Sequence, residues 1–197
     1  MDVPERYRQT ARLHIAAINQ GFLPQLGESF LALMYRAIDE SKAGLLITDI
    51  QDDRIVGFVS GCVSMRQIYA RMLRHPLRLF CALAPSLLRP SRVKRILDIL
   101  RYDGGGEPDT PLPRAELLSI AVDAAYRGQQ RADALYQGLE QRFAALGEAA
   151  FKITVGQSLI PAHKFYTRMG ASPVAEIEVH AGERSVVYVQ DIDTAAR

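Results

Sequence analysis

The hydrophobic periods along this chain predict a mixed α/β domain with helices packed on a central sheet. Three observations carry that reading. Apolar residues recur at helical spacing near the N-terminus, strand-like spacing takes over near residue 45, and residues 117–122 form a nearly continuous apolar run. Such a run fits a strand covered on both faces. The 197 residues suit a single domain spanning the whole chain, with a basic helical insertion and loop at residues 66–112.

Residues 5–20 and 25–40 are expected to be amphipathic helices, separated by breaks at Gly21 and Pro24. In the second, Leu26, Phe30, Leu33, Met34 and Ala37 recur at three- and four-residue steps. Leu45 to Ile50 and Ile55 to Val63 are strand-like, with Gln51-Asp52-Asp53-Arg54 between them as a hairpin connection. Residues 66–101 are expected to form two helices broken near Pro85 and Pro90, and the Gly- and Pro-rich residues 103–113 a loop. After the strand at 117–122 comes a turn, then a helix whose Ala132, Leu135, Leu139, Phe143 and Leu146 face the core and which Gly147 ends. Phe151, Ile153 and Val155 alternate in the next strand, and Pro161 opens a short helix that closes at Gly170. Strands around residues 174–179 and 185–189 finish the chain, joined by the hairpin signal Ala181-Gly182-Glu183.

Composition is that of an ordinary soluble globular protein, 48% apolar and 23% charged. The N-terminus has no basic region leading into an apolar stretch, and the apolar run near residues 77–88 is too short to span a bilayer, so the chain is expected to be cytoplasmic. Cys62 and Cys81 are expected to be buried free thiols, and the four scattered histidines offer no metal-ligand spacing. The net charge of +2 hides an asymmetry: residues 66–101 carry nine Arg or Lys against one acid, Asp98.

The segment Val122-Asp123-Ala124-Ala125-Tyr126-Arg127-Gly128-Gln129-Gln130-Arg131-Ala132 joins a buried strand to an amphipathic helix. The first turn of such a helix offers unpaired N–H groups and the positive end of the dipole, which suit a pyrophosphate. Gly128 allows close backbone approach, and Arg127 and Arg131 add positive charge on either side. A second segment, Ile160-Pro161-Ala162-His163-Lys164-Phe165-Tyr166-Thr167-Arg168-Met169-Gly170-Ala171, follows the next strand and puts Ala162, Phe165, Tyr166 and Met169 on one helical face.

Together these segments resemble the two signatures of the GNAT superfamily of N-acetyltransferases. The first is similar to Arg/Gln-x-x-Gly-x-Gly/Ala, with Arg127 and Ala132 matching and Gln130 standing where a Gly is expected. The second is similar to Asn-x-x-Ala-x-x-Phe-Tyr-x-x-x-Gly-Phe. There Ala162, Phe165, Tyr166 and Gly170 match, Leu159 replaces the Asn with Ser158 beside it, and Ala171 replaces the final aromatic. The resemblance covers residues 113–191 well and residues 5–64 in element order only.

The resemblance implies a GNAT-like central mixed sheet and acetyl-CoA as acyl donor, with no metal. It assigns the cofactor to Ile120, Ala121, Val122, Arg127, Gly128, Gln129, Gln130, Arg131, Ala132, Asp133, Ser158 and Ala162. Direct attack by a primary amine in a ternary complex is the implied reaction, with Tyr166 protonating the departing thiolate. Glu116, at the start of the strand leading to the cofactor turn, is the candidate base, with a plain surface carboxylate as the alternative. The expected acceptor is a small-molecule amine, a phosphorylated or nucleotide-linked sugar being one class that the basic insertion would suit. That insertion, where Leu73, Leu77, Phe80 and Leu83 oppose Arg71, Arg74 and Arg78, also suits peripheral contact with an anionic membrane; nucleic acid is least favoured. The competing reading is a catalytically inactive GNAT-like binding module acting through the basic segment on a membrane surface or nucleic acid.

Overall fold

The computed structural model describes residues 5–18, 23–74, 76–87, 111–180 and 183–192. Helices α1 (Glu5–Ala17) and α2 (Glu28–Asp39) precede the hairpin β1 (Gly44–Gln51) and β2 (Arg54–Cys62), which leads into α3 (Met65–Met72) and α4 (Pro76–Leu87). The second half runs β3 (Ala115–Val122), α5 (Arg131–Ala145), β4 (Ala150–Gly156), α6 (Ile160–Arg168), β5 (Ser172–His180) and β6 (Glu183–Asp191). The six strands form one mixed sheet in the order β1-β2-β3-β4-β6-β5, with β3 and β4 as its parallel pair.

Helices cover both faces. On one face α5 and α6 bury Leu135, Tyr136, Leu139, Phe143 and Tyr166 against Val59, Leu117, Phe151, Ile153 and Val155. On the other, α1, α2 and α3 bury Leu13, Leu31, Tyr35, Ile38 and Ile68 against Ile55, Phe58 and Cys62. Each fully buried large side chain contributes roughly 1.5–3 kcal/mol, so the two cores fix the sheet from both sides.

Several local expectations are corrected. The connection between β1 and β2 is two residues long, because Asp52 and Asp53 both adopt positive φ (50° and 59°) and let Gln51 and Arg54 pair. The break in the basic segment lies between Met72 and Pro76, where Pro76 starts α4; Pro85 falls within the last turn of α4 instead of ending it. Leu146 does not face the core but is 46% exposed, since the α5 helix ends at Ala145 and the chain turns away at Gly147 (φ 81°). Cys62 is buried as expected, whereas Cys81 is exposed on α4. Pro90, residues 103–110 of the expected loop and residues 181–182 of the last hairpin lie outside the described residues.

One irregularity shapes the sheet. Ser60 pairs with Ser119 but Gly61 pairs with Leu117, leaving Leu118 as an extra residue in β3. A bulge of this kind bends its strand and exchanges which residues face which side. Pairing between β3 and β4 covers only Ala115–Leu117 with Phe151–Ile153, so the two strands separate where the bulge begins. Beyond it Ile120 and Val122 pack toward α5, while Ala121 joins the opposite core.

Candidate active site

The separated ends of β3 and β4 open toward the turn between β3 and α5. Asp123 starts that turn: its carboxylate accepts the Ala125 N–H at 3.0 Å, fixing a short 3-10 turn at Ala124–Tyr126. Arg127 Nε donates to the Val122 carbonyl at 3.3 Å and closes the loop back on the strand. Gly128 then takes φ 77°, with open space where a Cβ would stand. Gln130 takes φ 57° as the residue preceding α5, a left-handed conformation that favours glycine. The usual signature glycine is thus replaced without loss of the turn, and the Gln130 side chain is exposed. No side chain caps the first turn of α5, which leaves its N–H groups available to an anion.

A cleft of about 380 Å³ lies in front of this turn. Val122, Arg127, Gly128, Gln130, Arg131, Ala132 and Asp133 line it, as do Tyr126, Phe165 and Arg168, which the sequence did not assign to the cofactor. Gln129 stands just behind, its side-chain oxygen accepting from Arg131 at 3.0 Å. Ile120 and Ala121 belong to the separated part of β3. Ser158 is exposed in the turn after β4, and Ala162 packs on the α5–α6 core. Leu159 directly precedes α6, and its side chain lies beside Gly156.

The charges in the cleft are more committed than their sequence spacing suggests. Arg131 donates to Asp49 at 2.8 Å and to Gln51 at 2.6 Å, both on β1, and lies over the Tyr126 ring at 5.2 Å. It therefore ties α5 to the edge of the sheet. Asp133 receives both Arg168 nitrogens, at 2.7 and 2.8 Å, which joins the first turn of α5 to α6. The polar residues Asp49 and Gln51, two apart on one strand, were the available sequence signal for the Arg131 clamp.

Tyr166 sits on α6 with 6% exposure, among the rings of Tyr136, Phe165 and Tyr188. Burial raises its pKa, so the phenol stays protonated. His163 one turn earlier donates from Nε2 to the Gly156 carbonyl at 3.1 Å and meets the Tyr188 hydroxyl at 2.9 Å through Nδ1, holding α6 against β4 and β6. Glu116 occupies the last paired stretch of β3, opposite Lys152 (3.8 Å), with Thr154 at 3.5 Å. It lies on the α1–α3 face near Cys62 and Tyr69, whose pKa values are raised chiefly by burial and further by the Glu116 charge. Burial pushes the Glu116 carboxyl above its ordinary range, against the opposing pull of Lys152.

Over residues 15–171 the sequence matches the family described as the acetyltransferase (GNAT) family. The chain belongs to that family. The solved structures it resembles agree in fold. An aminoglycoside 6'-N-acetyltransferase complexed with coenzyme A is 13% identical with a TM-score of 0.60, the match covering 96% of this chain and 92% of that one. The ribosomal-protein-S18-alanine N-acetyltransferase of Escherichia coli is 15% identical with a TM-score of 0.57, covering 96% and 89%. Arabidopsis thaliana NAA60 in complex with acetyl-CoA is 15% identical with a TM-score of 0.58, covering 96% and 95%. No curated protein matches by sequence. Among the described residues, no helix is long and apolar enough to cross a membrane and no group of three or more His, Cys, Asp or Glu could hold a metal.

Proposed function

We propose that this GNAT protein transfers the acetyl group of acetyl-CoA to a primary amine by direct attack while both substrates are bound. The observation that carries the reading is the parting of β3 and β4 directly beside an uncapped helix N-terminus. The residues present fit the donor: open space over Gly128 and free N–H groups at the start of α5 suit its pyrophosphate, and the gap between the strands suits its extended arm. Binding of coenzyme A or acetyl-CoA by the structural neighbours supports the same donor.

Within this reading, backbone N–H groups of the separated part of β3 around Ile120–Val122 hold the thioester and meet the oxyanion as it develops. The two proton-transfer groups come from opposite faces of the sheet. Glu116, whose raised pKa brings it nearer the working pH, takes the proton of the incoming amine on the α1–α3 face, directly or through water. Tyr166, kept protonated by burial, gives a proton to the departing thiolate on the α5–α6 face. The acceptor is a small-molecule amine, in line with the aminoglycoside substrate class named for one neighbour; another neighbour is a ribosomal-protein-S18-alanine N-acetyltransferase.

Calorimetric titration of acetyl-CoA into wild type and Gly128→Asp tests the cleft. Micromolar binding should be lost in the variant, which brings a carboxylate to the anion site. Tyr166→Phe should then lower kcat about 100-fold or more on any accepted amine, with the KM for acetyl-CoA within about twofold. Undiminished binding by Gly128→Asp, or unchanged kcat in Tyr166→Phe, would reject the corresponding assignment.

A further inference from the structure

The basic hairpin of α3 and α4 meets α2 in a way the sequence did not announce. Its apolar residues Leu77 and Phe80 point outward, 80% and 62% exposed, while Arg71 and Arg78 turn toward the body of the protein. There, with Arg36 of α2, they line one pocket that also holds the Glu40 carboxylate. Glu40 accepts from Arg36 Nε at 2.7 Å and from Arg71 Nη2 at 2.8 Å, so each of its oxygens is engaged and its pKa is lowered, chiefly by Arg71. Two donors remain over: Arg36 Nη1 and Arg71 Nε are buried and have no hydrogen-bond partner among the described residues. Arg78 lines the same pocket, which Met72 and Leu79 close from the apolar side.

Two guanidinium groups thus share one carboxylate, and Arg78 brings a third cation to the same pocket. A buried donor on a cation left without an acceptor is unfavourable, so an arrangement with two such donors and surplus positive charge is matched by an anion. The pocket is partly open and its space is about 20 Å³, room for one oxygen-sized group, with the remainder of any ligand held at the mouth beside Arg78. Guanidinium N–H groups in this array match the oxygens of a phosphate group. A water molecule would meet the two donors but leave the charge unbalanced.

We infer that the pocket between α2, α3 and α4 is a phosphate-group subsite, separate from the cofactor cleft. Its ligand is a phosphomonoester or phosphodiester group, carried either by a soluble molecule or by a lipid headgroup. The lipid source is raised by Leu77 and Phe80, which stand exposed on the same hairpin where four arginines and no acid occur between residues 66 and 87.

The test is a thermal melt of the full chain in inorganic phosphate against chloride at matched ionic strength, with coenzyme A saturating so that the cofactor cleft does not respond. Gly128→Asp is melted in parallel, so that a failure of the cofactor assignment is read separately from a failure of this one. Phosphate at ten times its Kd should raise Tm by about 3–5 °C in both proteins. Arg78→Gln should reduce the rise, and Glu40→Gln, which removes the competing carboxylate, should lower the phosphate concentration required several-fold. Absence of a phosphate-specific rise in wild type, or rises of equal size and midpoint in all four proteins, would overturn the inference. Cosedimentation with phosphatidylglycerol vesicles against phosphatidylcholine vesicles then names the source. Retention that Leu77→Gln with Phe80→Gln abolishes, while the inorganic phosphate response persists, assigns the subsite to a lipid headgroup; absence of retention assigns it to a soluble phosphate.

Discussion

On the α5–α6 face of the sheet, Tyr136, Phe143, Phe151, Phe165 and Tyr166 pack ring against ring, and the charged groups at the rim pair one to one, Arg131 with Asp49 and Arg168 with Asp133. On the α1–α3 face, the core contains a polar chain. His14 Nδ1 lies 2.5 Å from the Tyr35 hydroxyl, the buried Ser60 Oγ donates to the Ser119 carbonyl at 3.5 Å, and the nearby arginines share a single carboxylate. The first face is assembled from groups that are satisfied in place. The second keeps a titratable group in its core and positive charge in excess at its edge. The contrast follows the proposed division of labour, since the donor needs a rigid cradle whereas the acceptor side must meet a polar, changing ligand.

The largest expected consequence is a pH dependence of stability that belongs to the α1–α3 face. Burial depresses the His14 pKa from its ordinary 6.5 to about 4. Between those values the unfolded chain binds the proton and the folded chain does not, so stability falls as pH drops from about 6.5 to about 4 and is unaffected by this group above that window. The full effect is about 3 kcal/mol. Urea unfolding at several pH values should give a slope near one proton within the window for wild type. His14→Phe, which keeps a ring stacked beside Phe58 but cannot titrate, should flatten that slope. An equal slope in both proteins would remove the distinction between the two faces.

How much of this was legible in the sequence depends on which interactions set each feature. Element order and the two signature segments were readable because they follow from local hydrophobic period and from a turn, Asp123 to Gln130, whose residues lie next to one another in the chain. The bulge at Leu118 was not, since in a nearly continuous apolar run one extra residue leaves no trace in the pattern. Yet it is what parts β3 from β4. The outward aim of Leu77 and Phe80 was equally hidden: helical spacing identifies an apolar stripe but not which side of the helix meets the body. That choice is made by Glu40, some thirty residues earlier in the chain, which draws Arg71 inward.

The one-to-one pairing on the α5–α6 face can be probed by unequal losses. Both side chains of the Arg131–Asp49 pair are about three-quarters buried, and Gln51 adds a third polar partner. Arg131→Met should therefore destabilise by about 2 kcal/mol, because it leaves a poorly solvated carboxylate without its cation. Arg168 is 57% exposed, and Arg168→Met should cost less than about 1 kcal/mol despite equally short contacts. Denaturant midpoints measured without coenzyme A separate the two. Equal losses would mean that Arg131 is not the clamp between α5 and β1.

The smallest expected effect concerns the residue at which the family pattern is broken. Gln130 holds φ 57° with an exposed side chain, so its conformation is imposed by the turn and not repaid by contacts of its own. Gln130→Gly should raise stability by up to about 1 kcal/mol, since glycine enters the left-handed region without the Cβ penalty, less its greater loss of chain entropy. Affinity for acetyl-CoA should change by less than about threefold, because the N–H groups at the start of α5 are directed by the same backbone in both proteins. A large gain in affinity would instead mean that the Gln130 side chain obstructs the cleft, and the cradle would then be incomplete where the turn geometry makes it whole.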